Sequence, residues 1–541
     1  MTEYKMIHKK SVIILISFFI FLQAVSCANP VWKPDNEDGT YKNPIIFADY
    51  SDPDVIRVED DFYMTASSFN CVPGLPILHS KDLVNWKLIG HAIQHFEDEC
   101  FDIPQHGNGI WAPAIRYHNG WFWIFVGDPD TGILMTKAEN PAGPWEPLNL
   151  VQQGKGLIDP CPLWDDDGKA YLVHAWAKSR SGINSILTVR KMSPDGTKML
   201  DEGTMVFDGR NGVQPTIEGP KFYKRNGWYY IFAPAGGVKP GWQLALRSKK
   251  VLGPYEAKRV LEQGSTDING PHQGGWVELK NGENWFIHFQ DRGAYGRIVH
   301  LNPVRWADDW PLMGVDLDGN GVGEPVSRYK KPDVGKTYPV QVPQTSDQFS
   351  FETIALQWQW HANPKDNWMS LTERTGWMRL FVVPLPADLN NLWPVPNLIL
   401  QKFPAPEFTV TSKLDIGGLE VGEKTGLIIM GLSYSYLAVE NTSSGYHLIK
   451  NSCKDAIDGN KEVNESTVDF TGNILLLRVK INEGAVCDFS YSNDQKKFTA
   501  IGEPFTARAG KWIGAKVGLF SIAKDKKQNA GYADYDWFNI E

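Results

Sequence analysis

The chain has 541 residues, 54 Lys and Arg against 63 Asp and Glu, and a formal net charge of −9; aromatics make up 12% of it, including 21 Trp. That length builds two or three domains with large cores. The acidic balance, with no basic run beyond the N-terminus, excludes nucleic acid as the expected partner.

At the N-terminus His8-Lys9-Lys10 precedes an apolar run from Ser11 to Leu22, and Ala24-Val25-Ser26 follows as a small-x-small cleavage site. This predicts a secretory signal peptide over residues 1–26, and the run is short for a retained membrane anchor. Cys27 also stands where bacterial lipoproteins carry their acylated cysteine, with Ala24 where such sites usually have Leu. The expectation is an exported bacterial protein, in the periplasm or on the cell surface, that meets a membrane only if Cys27 is lipidated. No later stretch is long and apolar enough to span one.

From residue 36 to about 330 one pattern recurs five times. A short strand-like run leads through a polar turn into an aromatic or apolar run. The openings are Ser51-Asp52-Pro53, Ile110-Trp111-Ala112-Pro113, Ile158-Asp159-Pro160, Ile217-Glu218-Gly219-Pro220 and Pro271-His272-Gln273. The closing pairs, Phe62-Tyr63, Trp121-Phe122, Ala170-Tyr171, Trp228-Tyr229 and Asn284-Trp285, are spaced 49 to 59 residues apart. Such a period marks a propeller or solenoid. In the first unit Asp54–Val58, Phe62–Ala66, Ile77–Ser80 and Trp86–Gly90 read as four successive strands. Four strands in each of five units describe a five-bladed β-propeller.

Asp52, Trp111 and Glu218 each precede their closing pair by ten residues; Asp159 precedes by eleven and His272 by twelve, so those two need a bulge or a longer turn. One slot is thus filled by Asp, Trp, Asp, Glu and His. If the first strand of each blade lies nearest the axis, three acids face one pocket. A single Asp beside Pro is an ordinary turn residue; three acids in one repeated slot are harder to read that way. Carboxylates held close push at least one proton affinity up. This suits glycosidic hydrolysis, which needs one protonated acid and one ionised base. Trp111 offers an apolar platform for a sugar face.

The stretch 314–325 is rich in Gly and Pro and places Asp316, Asp318 and Asn320 at calcium-loop spacing, but Ser327 stands where the bidentate Glu belongs, so it reads as a turn-rich loop. Residues 331–348 read as a linker. From Phe349 to 541 the repeat is gone and alternating strands such as Phe408-Thr-Val-Thr-Ser-Lys413 predict an antiparallel β-sandwich, jelly-roll or concanavalin-like. The predicted fold class is therefore all-β, a propeller followed by a sandwich. Cys71, Cys100 and Cys161 are scattered, no Cys/His metal spacing occurs, and Cys453 and Cys487 either pair or stay as buried thiols.

At these residues the chain resembles glycoside hydrolase family 43. The motifs are Asn43-Pro-Ile-Ile46 with Ser51-Asp-Pro-Asp54, His79-Ser-Lys-Asp-Leu-Val-Asn-Trp86, Ile158-Asp159 with Asp165-Asp-Asp-Gly168, and Ile217-Glu218-Gly219-Pro220. The resemblance covers the whole mature chain. It implies Asp52 as general base, Glu218 as general acid, and Asp159 as the group that tunes the acid and orients substrate. It implies His272 as an axial histidine near a channel cation, Arg297 reaching toward the sugar, and Phe69 walling the pocket. Ala114 replaces an acid that many members carry after Trp-Ala-Pro, and Cys71-Val72 replace larger residues. The ending Ala533-Asp-Tyr-Asp-Trp537 resembles the sandwich of β-xylosidase-type members, in which Asp534 or Asp536 either holds a structural calcium or sits as an exposed acid. The implied activity is exo-acting, inverting removal of terminal pentoses from plant cell-wall oligosaccharides or polysaccharides, with no cofactor in the chemistry. α-L-Arabinofuranose is placed ahead of β-D-xylose. An endo-arabinanase and a non-catalytic glycan-binding propeller are the alternatives.

Overall fold

Period-two alternation closes five times into a four-stranded antiparallel sheet, over residues 54–93, 111–153, 157–208, 221–261 and 272–313. In the first blade the strands are Asp54–Val58, Asp61–Thr65, Gly74–Ser80 and Trp86–Ile93. The computed structural model describes residues 30–210, 212–386, 388–524 and 531–541. The leader and Cys27 lie outside the described residues. The first strand of each blade is innermost, and these strands abut around the axis.

Below the pocket the axis is filled by one connected group of side chains. Asp54 Oδ2, from the first blade, accepts Ile115 N at 2.9 Å and Arg116 NH1 at 2.7 Å from the second. Arg116 NH2 donates to Cys161 Sγ of the third at 2.8 Å, and Cys161 also accepts Phe222 N of the fourth at 3.2 Å. The Arg116 guanidinium lies over the Tyr223 ring at 5.1 Å, and Tyr223 Oη accepts Trp276 N of the fifth blade at 3.0 Å. All five blades thus contribute to one buried polar belt. A buried ion pair is held best by further hydrogen bonds; here they engage Asp54 Oδ2 and the guanidinium, while Asp54 Oδ1 is buried without a partner.

The second half forms two eight-stranded sheets packed as a sandwich. Its core extends into the propeller through Phe47, Tyr295 and Ile298, which cluster with Trp358, Phe403 and Phe408. Tyr295 Oη donates to Pro406 O at 2.8 Å and accepts Ala485 N at 2.9 Å. Trp360 pairs its backbone with Val72. The connecting segment lies along the first blade, where Lys331 pairs with Asp35 and Asp82, Gln341 N donates to Asn85 Oδ1 and Gln341 O accepts Trp86 N.

One expectation changes here, and one open alternative is decided. Asp534 is buried and grips Arg379 through both oxygens, at 2.8 and 3.0 Å, with Arg374 NH1 also at 3.0 Å; Asp536 pairs with Lys413 at 2.8 Å. Their lone pairs are engaged by cationic side chains, so these residues fit neither a calcium ion nor a pair of free exposed acids. Cys453 and Cys487 are both buried and both free. In the 314–325 loop Asp316 accepts Gly319 N and Gly321 N, which is turn capping.

Removing one partner of a buried pair strands the other charge, at a cost of about 3–5 kcal/mol. Arg116→Met is therefore expected to lower the urea midpoint of unfolding by that stability with the m-value unchanged. A shift below about 1 kcal/mol would refute the belt's role.

Candidate active site

Three of the five slots are built on bulges, which bend an inner strand and re-aim its side chain up the axis. The sheet register slips at Ile158/Cys161 and His272/Gly274, the two places where the spacing demanded it, and also at Trp111/Ala114. Each slot contains a residue with left-handed backbone: Asp52 (φ 53°), Ala112 (24°), Asp159 (58°), Gly219 (59°) and Gln273 (37°). In blades one and three the acid itself takes this conformation. In the other three the next residue does, so the five slots are not in one register. Non-glycine residues held there store strain of about 1–3 kcal/mol each and concentrate at functional sites.

Asp52 is buried and surrounded by donors. Arg297 NH1 reaches its Oδ1 at 3.0 Å and Oδ2 at 3.2 Å, while Ser51 Oγ and Ser67 Oγ donate to Oδ2 at 2.8 and 2.6 Å. Arg297 NH1 also donates to Ser51 Oγ at 2.6 Å. The sequence placed Arg297 at the sugar; the structure places it on Asp52, with its guanidinium over the Phe289 ring at 4.9 Å and the Trp512 ring at 5.9 Å.

On the opposite side Asp159 Oδ2 accepts Gly219 N at 2.7 Å, which ties the third blade to the residue after Glu218. Gly219 is required there by its positive φ and because a Cβ would meet Gln273 Cγ at 2.5 Å. Glu218 Oε1 lies 3.0 Å from His272 Nε2 and its side chain is 25% exposed, so it reaches open space while Asp159 stays buried. The Asp159 carboxyl is pushed well above the usual carboxylate range, by burial first and by the Glu218 carboxylate second, with Asp52 adding to it. The Asp159–Glu218 pair therefore retains a proton into neutral pH. His272 Nδ1 is buried without a partner. Among the described residues no three His, Cys, Asp or Glu side chains cluster to hold a metal, so the unpartnered Nδ1 leaves His272 as a single protein ligand for any cation in the channel.

Phe69 and Trp111 form an aromatic corner, edge-to-face at 6.2 Å. Phe69 is buried; the more open Trp111 carries the Arg180 guanidinium over its ring at 5.5 Å. The sandwich completes this corner. Ile513 packs on Phe69 and Cys71, and Trp512, 47% exposed, meets Trp111 edge-on at 6.2 Å. Asp49 fixes that loop to the base side, accepting Gly514 N at 3.0 Å on one oxygen and Arg297 N at 2.8 Å on the other. Gly296 is forced by the same contact, since a Cβ would overlie the Asp49 carboxyl at 2.5 Å.

The model of glycosyl hydrolases family 43 matches residues 41–311, and that of the β-xylosidase C-terminal concanavalin A-like domain matches 346–541. The chain belongs to glycoside hydrolase family 43. A Xylanibacter ruminicola protein, provisionally named a β-xylosidase, is 41% identical over 91% of this chain and 88% of its own length. A Bacteroides ovatus protein named a non-reducing end α-L-arabinofuranosidase is 30% identical over 93% and 94%. The crystal structure of a mutant of the family 43 protein BlXynB from Bacillus licheniformis superposes with a TM-score of 0.79 at 28% identity, covering 93% of this chain and 99% of that one.

In this family 43 chain the residues that motif reading missed are Asp49, Ser51, Ser67, Lys221 and Trp512. Lys221 is fully buried with no hydrogen-bond partner for Nζ, and it opposes the burial and the Glu218 carboxylate that raise the Asp159 carboxyl. Ser51 lay inside a quoted motif and Asp49 between two of them, but Trp512 carried no signal, because nothing local marks a sandwich loop as a pocket wall.

A carboxyl that binds its proton more tightly folded than unfolded costs stability as pH rises from the ordinary carboxylate range, near pH 4, through the raised folded value. Asp159→Asn removes that cost. Its melting temperature relative to wild type is expected to rise steadily between pH 5 and 8; a constant offset would sink the assignment. Separately, Trp512→Ala is expected to lower kcat/KM about tenfold, or ~1.4 kcal/mol of lost binding, with the melting temperature kept. Unchanged kinetics would remove Trp512 from the pocket.

Proposed function

We propose that this glycoside hydrolase acts from the chain end, with inversion, and releases terminal β-D-xylosyl residues from plant cell-wall oligosaccharides. The observation that carries the reading is the contrast between the two carboxylate environments. Asp52 sits among donors, with a guanidinium and two hydroxyls on it. Glu218 reaches open space beside a buried carboxyl that holds its proton.

In this mechanism Glu218 protonates the glycosidic oxygen as the bond to the anomeric carbon breaks. Asp52 takes a proton from the water that attacks the opposite face of that carbon. Arg297 and the two serines hold the Asp52 carboxylate in place. Asp159 keeps a proton on the acid side and, through Gly219 N, fixes the backbone at Glu218. His272 orients the Glu218 carboxyl from below. Trp111 and Trp512 close the pocket around one terminal sugar, which supports exo- over endo-action.

The choice of xylose rests on the names of the more similar relatives and reverses the order expected from the sequence. α-L-Arabinofuranosidase is the second reading, supported by the name of the Bacteroides ovatus relative. Export through the leader at residues 1–26 completes the proposal.

The test uses p-nitrophenyl β-D-xylopyranoside and α-L-arabinofuranoside. A higher kcat/KM on the xyloside, with α-xylose as the first product by proton NMR, is the expected result. A higher value on the arabinofuranoside selects the second reading. Glu218→Gln should lose about 10²–10⁴-fold in kcat on unactivated xylobiose, and much less on an aryl glycoside whose leaving group needs no proton. Equal losses on both substrates would refute Glu218 as the acid.

A further inference from the structure

Behind the Cys71 side of the pocket, where the sandwich meets the first blade, two lysines face each other. Lys402 and Lys516 are directly paired on neighbouring antiparallel strands. Both donate to the same atom, Gln359 Oε1, at 3.0 and 3.1 Å, and Lys516 also donates to Cys71 Sγ at 3.0 Å. Like charges placed directly across a ladder repel, and a buried charge needs a partner. Among the described residues neither lysine has an ion-pair partner. The carboxylate whose charge acts on Lys402 is Asp49, and its oxygens are already committed to Arg297 N and Gly514 N. The strain shows in Lys402, whose ammonium is pushed down to about 8, by burial first and by Lys516 second.

Beside Lys402 lies a narrow cleft of about 60 Å³, with His91, Gln359 and Gln401 on its polar side and Leu88 and Pro404 among its apolar walls. Gln401 Nε2 and His91 Nδ1 are buried with no hydrogen-bond partner. His91 is held neutral, its pKa lowered to about 3 by burial and by both lysines, so a ring N–H is available. Donors therefore outnumber acceptors: spare ammonium protons on both lysines and two amide protons on Gln401 share little beyond Gln359 Oε1. Water takes about 10–15 Å³ in this measure, so the cleft holds one small ion with a water or two and excludes a sugar ring.

We infer that this cleft binds a small monovalent anion, a halide or a one- or two-carbon carboxylate, held by Lys402, Gln401 and His91. The anion supplies the charge that the two lysines lack. Through Lys516 and Cys71 it also steadies the wall on which Phe69 sits.

The test takes the mature protein in sodium gluconate at fixed ionic strength and replaces gluconate with chloride, bromide or acetate. Wild type is expected to gain about 2 °C in melting temperature along a saturating curve. Lys402→Met should lose that dependence whatever its own stability. Gln401→Glu, which builds an anion into the cleft, should lose it too. Crystals grown in bromide should show its anomalous peak beside Lys402 Nζ. A wild type indifferent to these anions, variants that respond as wild type does, or a bromide-free cleft would each overturn the inference.

Discussion

The buried pair of Asp54 and Arg116 is the constraint on which the site depends. A propeller has no covalent closure at its axis, and its inner strands meet with polar edges pointing inward. Here that space is filled by a guanidinium that bonds Asp54 and Cys161 and lies over Tyr223. The belt stands two residues below the acids: Asp54 follows Asp52, and Cys161 follows Asp159. Phe222 N, on Cys161, stands four residues past Glu218. A fixed belt and a fixed step up each strand fix where the three carboxylates stand. The arginine also makes the low dielectric below the acids tolerable, since Asp54 would otherwise be a fourth carboxylate in the same field.

Above the belt charge is arranged by pairing rather than by distance alone. Asp52 has Arg297, Asp159 has the buried Lys221 within its field, and Glu218 has only a histidine. Three acids with three different partners suit the three roles proposed for them, since environments that differ let one pocket support both acid and base chemistry at one pH. The left-handed residues at Asp52 and Asp159 belong to the same design. Their strain is held by Arg297 and the serines on one side and by Gly219 N on the other.

Much of this was legible in the sequence because it is local or periodic. Closing pairs every 49 to 59 residues gave the blades, and the extra residues before Ala170 and Asn284 announced bulges that are present. The bulge at Trp111/Ala114 was hidden, because its spacing of ten equals that of the unbulged first and fourth blades. Asp534 and Asp536 misled for a related reason. Two acids in alternation look like ligands until the arginines that claim the first, 155 and 160 residues away in sequence, are in view. Asp49 bonding Gly514 across 465 residues is of the same kind. Spacing rules do not reach that far, so the tie between base and sandwich had no sequence signature.

That tie makes the two domains one catalytic unit. Asp49 has one oxygen on the backbone of Arg297, which holds Asp52, the proposed base, and the other on Gly514 N, in the loop that carries Trp512 beside Trp111. A propeller without its sandwich would keep the acids and lose both the aromatic lid and half of the restraint on Arg297. The apolar cluster of Phe47, Tyr295 and Ile298 with the sandwich core fixes the separation of the halves, while directional bonds such as those of Tyr295 Oη and Asp49 fix the register. Burial alone is non-directional and would dock the sandwich without aiming its loop. The polar contacts at the seam add little net stability each, but they place one tryptophan of the sandwich edge-on to Trp111 of the propeller.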